Sequence, residues 1–332
     1  MPVNALRNRA WLGTAAFTRA LLGVCLAVLS ISPARAQDTA GLRLFLEPSK
    51  REFVVGEPLF ATMRLRNVGT VPLNVTDNLH VRTEAVSIVA ELEQGTGQAR
   101  SAARYRPLSL LFAPASYRSL APGEENTFVG AIFFGGTGWF VVDREGDYRL
   151  HARYRSPVRS GRGVVEASSE PVRVSVRRGS GAGRFLIDRD HRGEGARFLF
   201  WQRGDHLDRG IAHLRQVQTR FPESVLADYV RVAFAKSYSR PFKNYAIDEL
   251  RPIDCPQALV ELSGLRVRLL PAVLNVQSSL DRARCLIASG RRPEAQEPLQ
   301  FALRLIEQDR ALETLLDEAV QLEPTLLAAG PG

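Results

Sequence analysis

Lysine is almost missing from this chain: Lys50, Lys236 and Lys243 stand against 41 arginines in 332 residues. So lopsided a ratio reads as the coding bias of a GC-rich bacterial genome rather than as a set of phosphate-clamping forks. Nucleic-acid binding is therefore not expected. Long apolar runs are also missing. A helix that crosses a bilayer needs roughly 20 such residues, and the run from Leu21 to Leu29 reaches only about ten. No Gly-x-Ser-x-Gly, His-Glu-x-x-His or dinucleotide fingerprint occurs, so neither a cofactor nor a catalytic activity is expected. Cysteine is scarce, with Cys25, Cys255 and Cys285 alone.

The N-terminus does carry a signal. Arg7, Arg9 and Arg19 precede that short apolar run, and Ala34-Arg35-Ala36 follows it. Basic start, apolar middle and small residues at −3 and −1 make an export signal, with cleavage expected after Ala36. Residues 1–36 are accordingly expected to be a signal peptide, and the mature chain a periplasmic or secreted protein without a transmembrane segment. Losing the four arginines of that stretch lowers the formal net charge from +9 to +5. Two cysteines then remain, in a compartment that permits disulfides. Cys255 and Cys285 could pair or stand as separate buried thiols.

From Leu42 to Val176 the apolar residues alternate in short stretches broken by Gly, Pro, Asn and Asp. That period of two predicts an all-β sandwich over 41–177. Tyr148, Leu150, Ala152 and Tyr154 fall on one strand face, which leaves Arg149, His151, Arg153 and Arg155 on the other. Val172, Val174 and Val176 repeat the pattern, with Arg173 and Arg177 outward. Paired side by side, the two strands would expose one basic face of Arg149, His151, Arg153, Arg155, Arg173 and Arg177, extended by Arg64 and Arg66. That face is the candidate surface for an acidic polymer, an anionic surface of lipid headgroups or an acidic partner, against the alternative that its arginines are simply solvated. Gly135-Gly136-Thr137-Gly138 lacks the Lys-Ser or Lys-Thr of a phosphate loop and reads as a strand connection.

The segments Glu47-Pro48-Ser49-Lys50, Val55-Gly56-Glu57-Pro58, Leu120-Ala121-Pro122-Gly123-Glu124 and Gly146 to Tyr154 resemble secreted bacterial immunoglobulin-like domains. They are also similar to macroglobulin-type modules and to a family of bacterial proteinase inhibitors built on a related sandwich. The resemblance implies an immunoglobulin-like fold and, less directly, protease inhibition. No thioester Cys-Gly-Glu-Gln motif is present, so covalent trapping is not implied.

Arg177 to Arg184 is rich in glycine and free of periodic apolar residues, which predicts a flexible linker over 178–192. Beyond it the period turns helical: 196–201, 207–219, 225–238 with Ser224 as N-cap, 256–270, 273–289, 293–307 and 312–322. Gly290, Ala295, Leu299 and Ala302 stand at offsets that resemble the turn and packing positions of a tetratricopeptide repeat, with Pro298 intruding in the second helix. Residues 193–325 are thus expected to form a degenerate all-α, tetratricopeptide-like domain, followed by a disordered tail over 326–332. Asp205, His206, Asp208 and His213 are close in sequence, but an N-cap at Asp208 would leave His206 outside the helix, so no metal site is expected.

These readings converge on an exported, non-catalytic binding or scaffolding protein that meets a protein partner through its helical half. A secreted proteinase inhibitor is the alternative, and an enzyme of unrecognised class the third.

Overall fold

The computed structural model describes residues 41–77, 79, 85–93, 99–105, 116–135, 140–157, 164–190, 193–244 and 247–327. It has a β-rich N-terminal half and a helical C-terminal half. The expected signal peptide and residues 328–332 of the expected tail lie outside the described residues, whereas 326 and 327 end the last helix.

Two sheets enclose the core of the first half. In the smaller, β1 (Leu42–Pro48) and β8 (Glu125–Ile132) flank β3 (Leu59–Asn67), all antiparallel. In the larger, β2 (Glu52–Val54), β11 (Val172–Arg177), β9 (Gly146–Pro157), β5 (Val86–Glu93) and β6 (Ala99–Tyr105) follow one another, and β10 (Val164–Ser168) pairs with β9. The β2–β11 pair is parallel. A separate pair joins β4 (Leu73–Thr76) to β7 (Tyr117–Leu120).

Alternation decides which side chains meet. Leu44 stands opposite Leu65 and Leu46 opposite Met63, while Ile88 faces Ala152 and Ala90 faces Leu150. These residues are all buried in one apolar cluster with Phe53, Tyr154 and Val176. The buried Asn67 closes the turn after β3. Its amide donates to the Val71 and Leu120 carbonyls at 2.8 Å each, and its oxygen accepts the Gly69 N–H at 2.9 Å.

The second half runs through α1 (Ala182–Arg189), α2 (Glu194–Trp201), α3 (Asp208–Arg220) and α4 (Val225–Tyr238). A short hairpin follows, β12 (Phe242–Asn244) with β13 (Glu249–Arg251), and then α5 (Cys255–Ser263), α6 (Ala272–Ala288), α7 (Arg292–Gln308) and α8 (Leu316–Leu327). Caps set several starts, as expected of oxygen side chains at that position. Ser224 Oγ accepts the Ala227 N–H at 3.1 Å, and Asp254 accepts the Gln257 N–H at 3.1 Å. Apolar residues on every side of α4 make it the central helix, with Leu226, Tyr229, Val230 and Phe234 buried among its neighbours.

The expected linker is corrected. Residues 182–189 are α1, and Ala182, Gly183 and Leu186 are buried. A glycine stretch was read as freedom where it serves close approach: a methyl group on Gly183 would overlap the Val55 carbonyl. Residues 191 and 192 lie outside the described set. Nor are the halves separate cores. Phe60, Phe133, Phe134 and Phe140 of the β half join Leu186, Phe198, Tyr229 and Phe234 in one cluster. Phe60 stacks on Tyr229 with ring centroids 6.1 Å apart.

A buried carboxylate fixes the junction. Glu57 accepts the Tyr229 hydroxyl at 3.1 Å and the Val54 N–H at 3.0 Å, and pairs with Lys50 at 2.6 Å. Burial raises its pKa above the usual carboxylate value, against the pull of Lys50 and of these hydrogen bonds.

Candidate functional site

The two arginine-bearing strands do pair, Arg173 opposite Arg149 and Val172 opposite Leu150, but the face they share is not bare positive charge. Arg149 and Arg173 both hold Glu93, at 2.9 and 3.2 Å, and Arg155 holds Glu166 at 2.9 Å. Glu91 sits opposite Arg149 on the other side. Carboxylates from β5 and β10 therefore screen the arginines of β9 and β11, a cross-strand arrangement that a single strand does not reveal. His151 is partly buried, and burial together with Arg153 lowers its pKa despite Glu91. Arg64 and Arg66 belong to the other sheet, where they pair with Glu47 and Glu125, and so do not extend this face.

In the helical half, Cys255 and Cys285 form a disulfide with Cα atoms 4.9 Å apart, tying the start of α5 to the end of α6. Gly290 takes φ +75° in the turn after α6, and Ala295, Leu299 and Ala302 are buried where α7 packs on that helix. Pro298 is accommodated inside α7. Asp208 opens α3 as its first residue, with Leu207 at the cap and His206 before the helix, stacked on Phe242 at 6.4 Å. Among the described residues no group of three or more His, Cys, Asp or Glu could hold a metal ion. Phe134 and Phe140 bridge on either side of the glycine loop, whose residues 136–139 lie outside the described set.

The chemistry that converges lies elsewhere. A pocket of about 600 Å³ opens between the C-terminal ends of α2 and α4, the β12–β13 hairpin and α6. Its wall carries five cations, Arg203, Lys236, Arg240, Arg251 and Arg284, beside Trp201, Phe242, Ser237 and Ser239. Helix C-termini favour cations, because unpaired carbonyls there carry partial negative charge.

Three carboxylates organise this group. The buried Asp281 accepts from Arg284 at 2.7 Å and Arg240 at 3.4 Å, and Glu318 accepts from both at 2.6 Å. Although burial pushes Glu318 up, the Arg284 hydrogen bond and the Arg240 and Arg284 charges hold it below its usual value. Arg251 pairs with Asp205 and lies over the Tyr238 ring. Arg203 and Lys236 have no carboxylate within ion-pair distance among the described residues. Burial lowers the Lys236 pKa, with Asp281 and Glu318 opposing and Arg240 reinforcing. A partly buried ammonium with no ion pair among the described residues, offset only from farther off by Asp281 and Glu318, gains by accepting an anion. Pockets of this size hold small molecules.

None of these five residues was singled out from sequence. They come from three elements, α4, β13 and α6, and from the turns that follow α2 and α4, with no local motif. The one available hint was Lys236, one of three lysines, inside a helix that is apolar on every side.

No family model matches the chain, and no curated protein matches it. Among solved structures, it is similar to the sporulation control protein Spo0M from Bacillus subtilis at 10% identity and TM-score 0.25, over 46% of this chain and 55% of that one. The alkylpurine DNA glycosylase AlkC from Pseudomonas fluorescens, bound to DNA containing an abasic site analog, matches at 12% identity and TM-score 0.25, over 42% and 31% of the two chains. A CARDB domain from Pyrococcus furiosus, in complex with di-metal ions, matches at 14% identity and TM-score 0.20, over 41% and 91%. The chain thus spans about half of the first of these and under a third of the second. Likenesses this slight carry no argument about what it does.

Proposed function

We propose that this is an exported, non-catalytic binding protein of the bacterial envelope, an immunoglobulin-like sandwich joined to tetratricopeptide-like helical hairpins, whose ligand is a small anion held in the cationic pocket. The observation that supports this reading most strongly is the pocket's charge. Five cations meet three carboxylates, and among the described residues Lys236 and Arg203 have no carboxylate within ion-pair distance. Carboxylate or phosphate groups are the matching chemistry. Calorimetric titration of inorganic phosphate and of acetate into the full chain at low salt tests the reading. Saturable binding that weakens with added chloride is expected; no heat from either anion would remove it.

A second reading, contact with a protein partner through the helical half, draws on exposed apolar side chains. Ile247, Leu250, Ile253, Val260, Val267 and Leu269 all stand out between residues 247 and 269. Such concentrations commonly mark interaction surfaces. Replacing Leu250 and Val260 with serine is expected to abolish partner retention from envelope extracts while leaving anion binding intact.

A further inference from the structure

A second cavity adjoins the cationic pocket. Of about 300 Å³, it lies between the β half and the helices, walled by Phe60, Phe128 and Phe133 on one side and by Leu199, Val273 and Leu274 on the other. Gln202 and Lys236 line both cavities. Lys236 is suited to that shared position, since its four-carbon stem can lie against apolar walls while its ammonium reaches the polar side. Among the described residues, guanidinium groups line only the larger pocket, and Lys236 is the charged side chain in the wall of the smaller cavity.

Resting on the anion-site reading above, we propose that the ligand is an anionic amphiphile. Its carboxylate or phosphate group sits among Lys236, Arg203 and Arg240, and its aliphatic tail enters the cleft between Phe60 and Val273. A free inorganic anion would use only the larger pocket, and a neutral lipid would leave the Lys236 ammonium unpaired. An amphiphile answers both cavities at once. The junction of the two halves, where Phe60 stacks on Tyr229, then becomes part of the binding site.

The test is a calorimetric series on the full chain, kept below micellar concentrations: acetate, hexanoate, octanoate and decanoate, octyl phosphate as a second headgroup, inorganic phosphate as headgroup alone, and octanol as tail alone. Affinity is expected to rise up to about fourfold per added methylene until the cleft is filled. Octanol should bind at least about tenfold more weakly than octanoate, and Lys236→Gln should weaken octanoate about 10- to 100-fold. Ala131→Leu, placed in the cleft wall, should flatten the chain-length dependence and leave phosphate affinity as it was. Acetate and decanoate binding equally would overturn the amphiphile while keeping the anion site. Failure of every anion to bind would overturn both. The chain-length series on the unmodified protein decides even if a variant does not fold.

Discussion

The two halves handle arginine differently. In the β half the guanidinium groups lie on strand faces and meet carboxylates at the surface: Arg149 and Arg173 on Glu93, Arg155 on Glu166, Arg64 on Glu47, Arg118 on Glu124. In the helical half, beside surface pairs such as Arg291 with Glu294, guanidinium groups close over carboxylates that are buried. Asp228 receives Arg231 and Arg266, Glu261 receives Arg215, and Asp281 receives Arg240 and Arg284. Surface pairs contribute little and are screened by salt, whereas removing one partner of a buried pair strands a charge away from water. Arginine count is thus a poor guide to a binding surface. The strand face with the most conspicuous arginines spreads Arg149, Arg155 and Arg173 over Glu93 and Glu166 in the open, whereas the scattered cations of the helical half converge on one pocket.

The strongest way to break this comparison is at the junction. Gly183→Ala should destabilise the protein by about 4 kcal/mol or more in urea unfolding, because helix α1 must lift off the Val55 carbonyl. Gly290→Ala, at φ +75° with open space around it, should cost only about 1 kcal/mol. Equal effects would mean that the halves are hinged rather than welded.

Replacing both Cys255 and Cys285 with serine comes next. With the cysteines 30 positions apart, the chain-entropy account gives a loss of about 3–4 kcal/mol. The β half contains no disulfide, so the loss should appear first as weakened amide-exchange protection in α5 and α6.

Tyr229→Phe should cost about 1–2 kcal/mol by depriving the buried Glu57 of a donor. Glu57 also gives a pH test. Its pKa is raised in the folded state above the ordinary 4.5, so the fold binds this proton more tightly than the unfolded chain does. Relative to Glu57→Gln, the native protein should gain stability as pH falls through the raised pKa, level off below 4.5, and lose that contribution as pH rises. A difference independent of pH would contradict the burial argument. The smallest effect belongs to the strand face: Arg149→Ala combined with Arg173→Ala should shift stability by no more than about 1 kcal/mol, and less in high salt.

Much of the fold was legible because it rests on period. Leu44, Leu46, Met63 and Leu65 alternate, and Ser224 precedes an apolar run, so strands near 42–48 and 59–67 and the helix at 225–238 follow from local pattern. Four things escaped. Helix α1 hid in a glycine stretch because Gly183 records a close approach made by a distant carbonyl. The β12–β13 hairpin is only three residues on each side, too short to display a period. Screening of the basic face depends on which strands are neighbours, and that is a property of topology. The cationic pocket was illegible for the same reason, since Arg203, Lys236, Arg251 and Arg284 meet only after four elements are packed.

Binding is proposed to reside in the helical half's pocket and not on the basic strand face. The direct measurement is octanoate titration into the unmodified chain, Lys236→Gln and Arg153→Gln under identical salt. Lys236→Gln should bind at least about tenfold more weakly, the lower end of what a lost charge-assisted contact costs, with Arg153→Gln indistinguishable from the unmodified protein. Binding that survives Lys236→Gln and falls with Arg153→Gln would contradict this placement and return the site to the strand face.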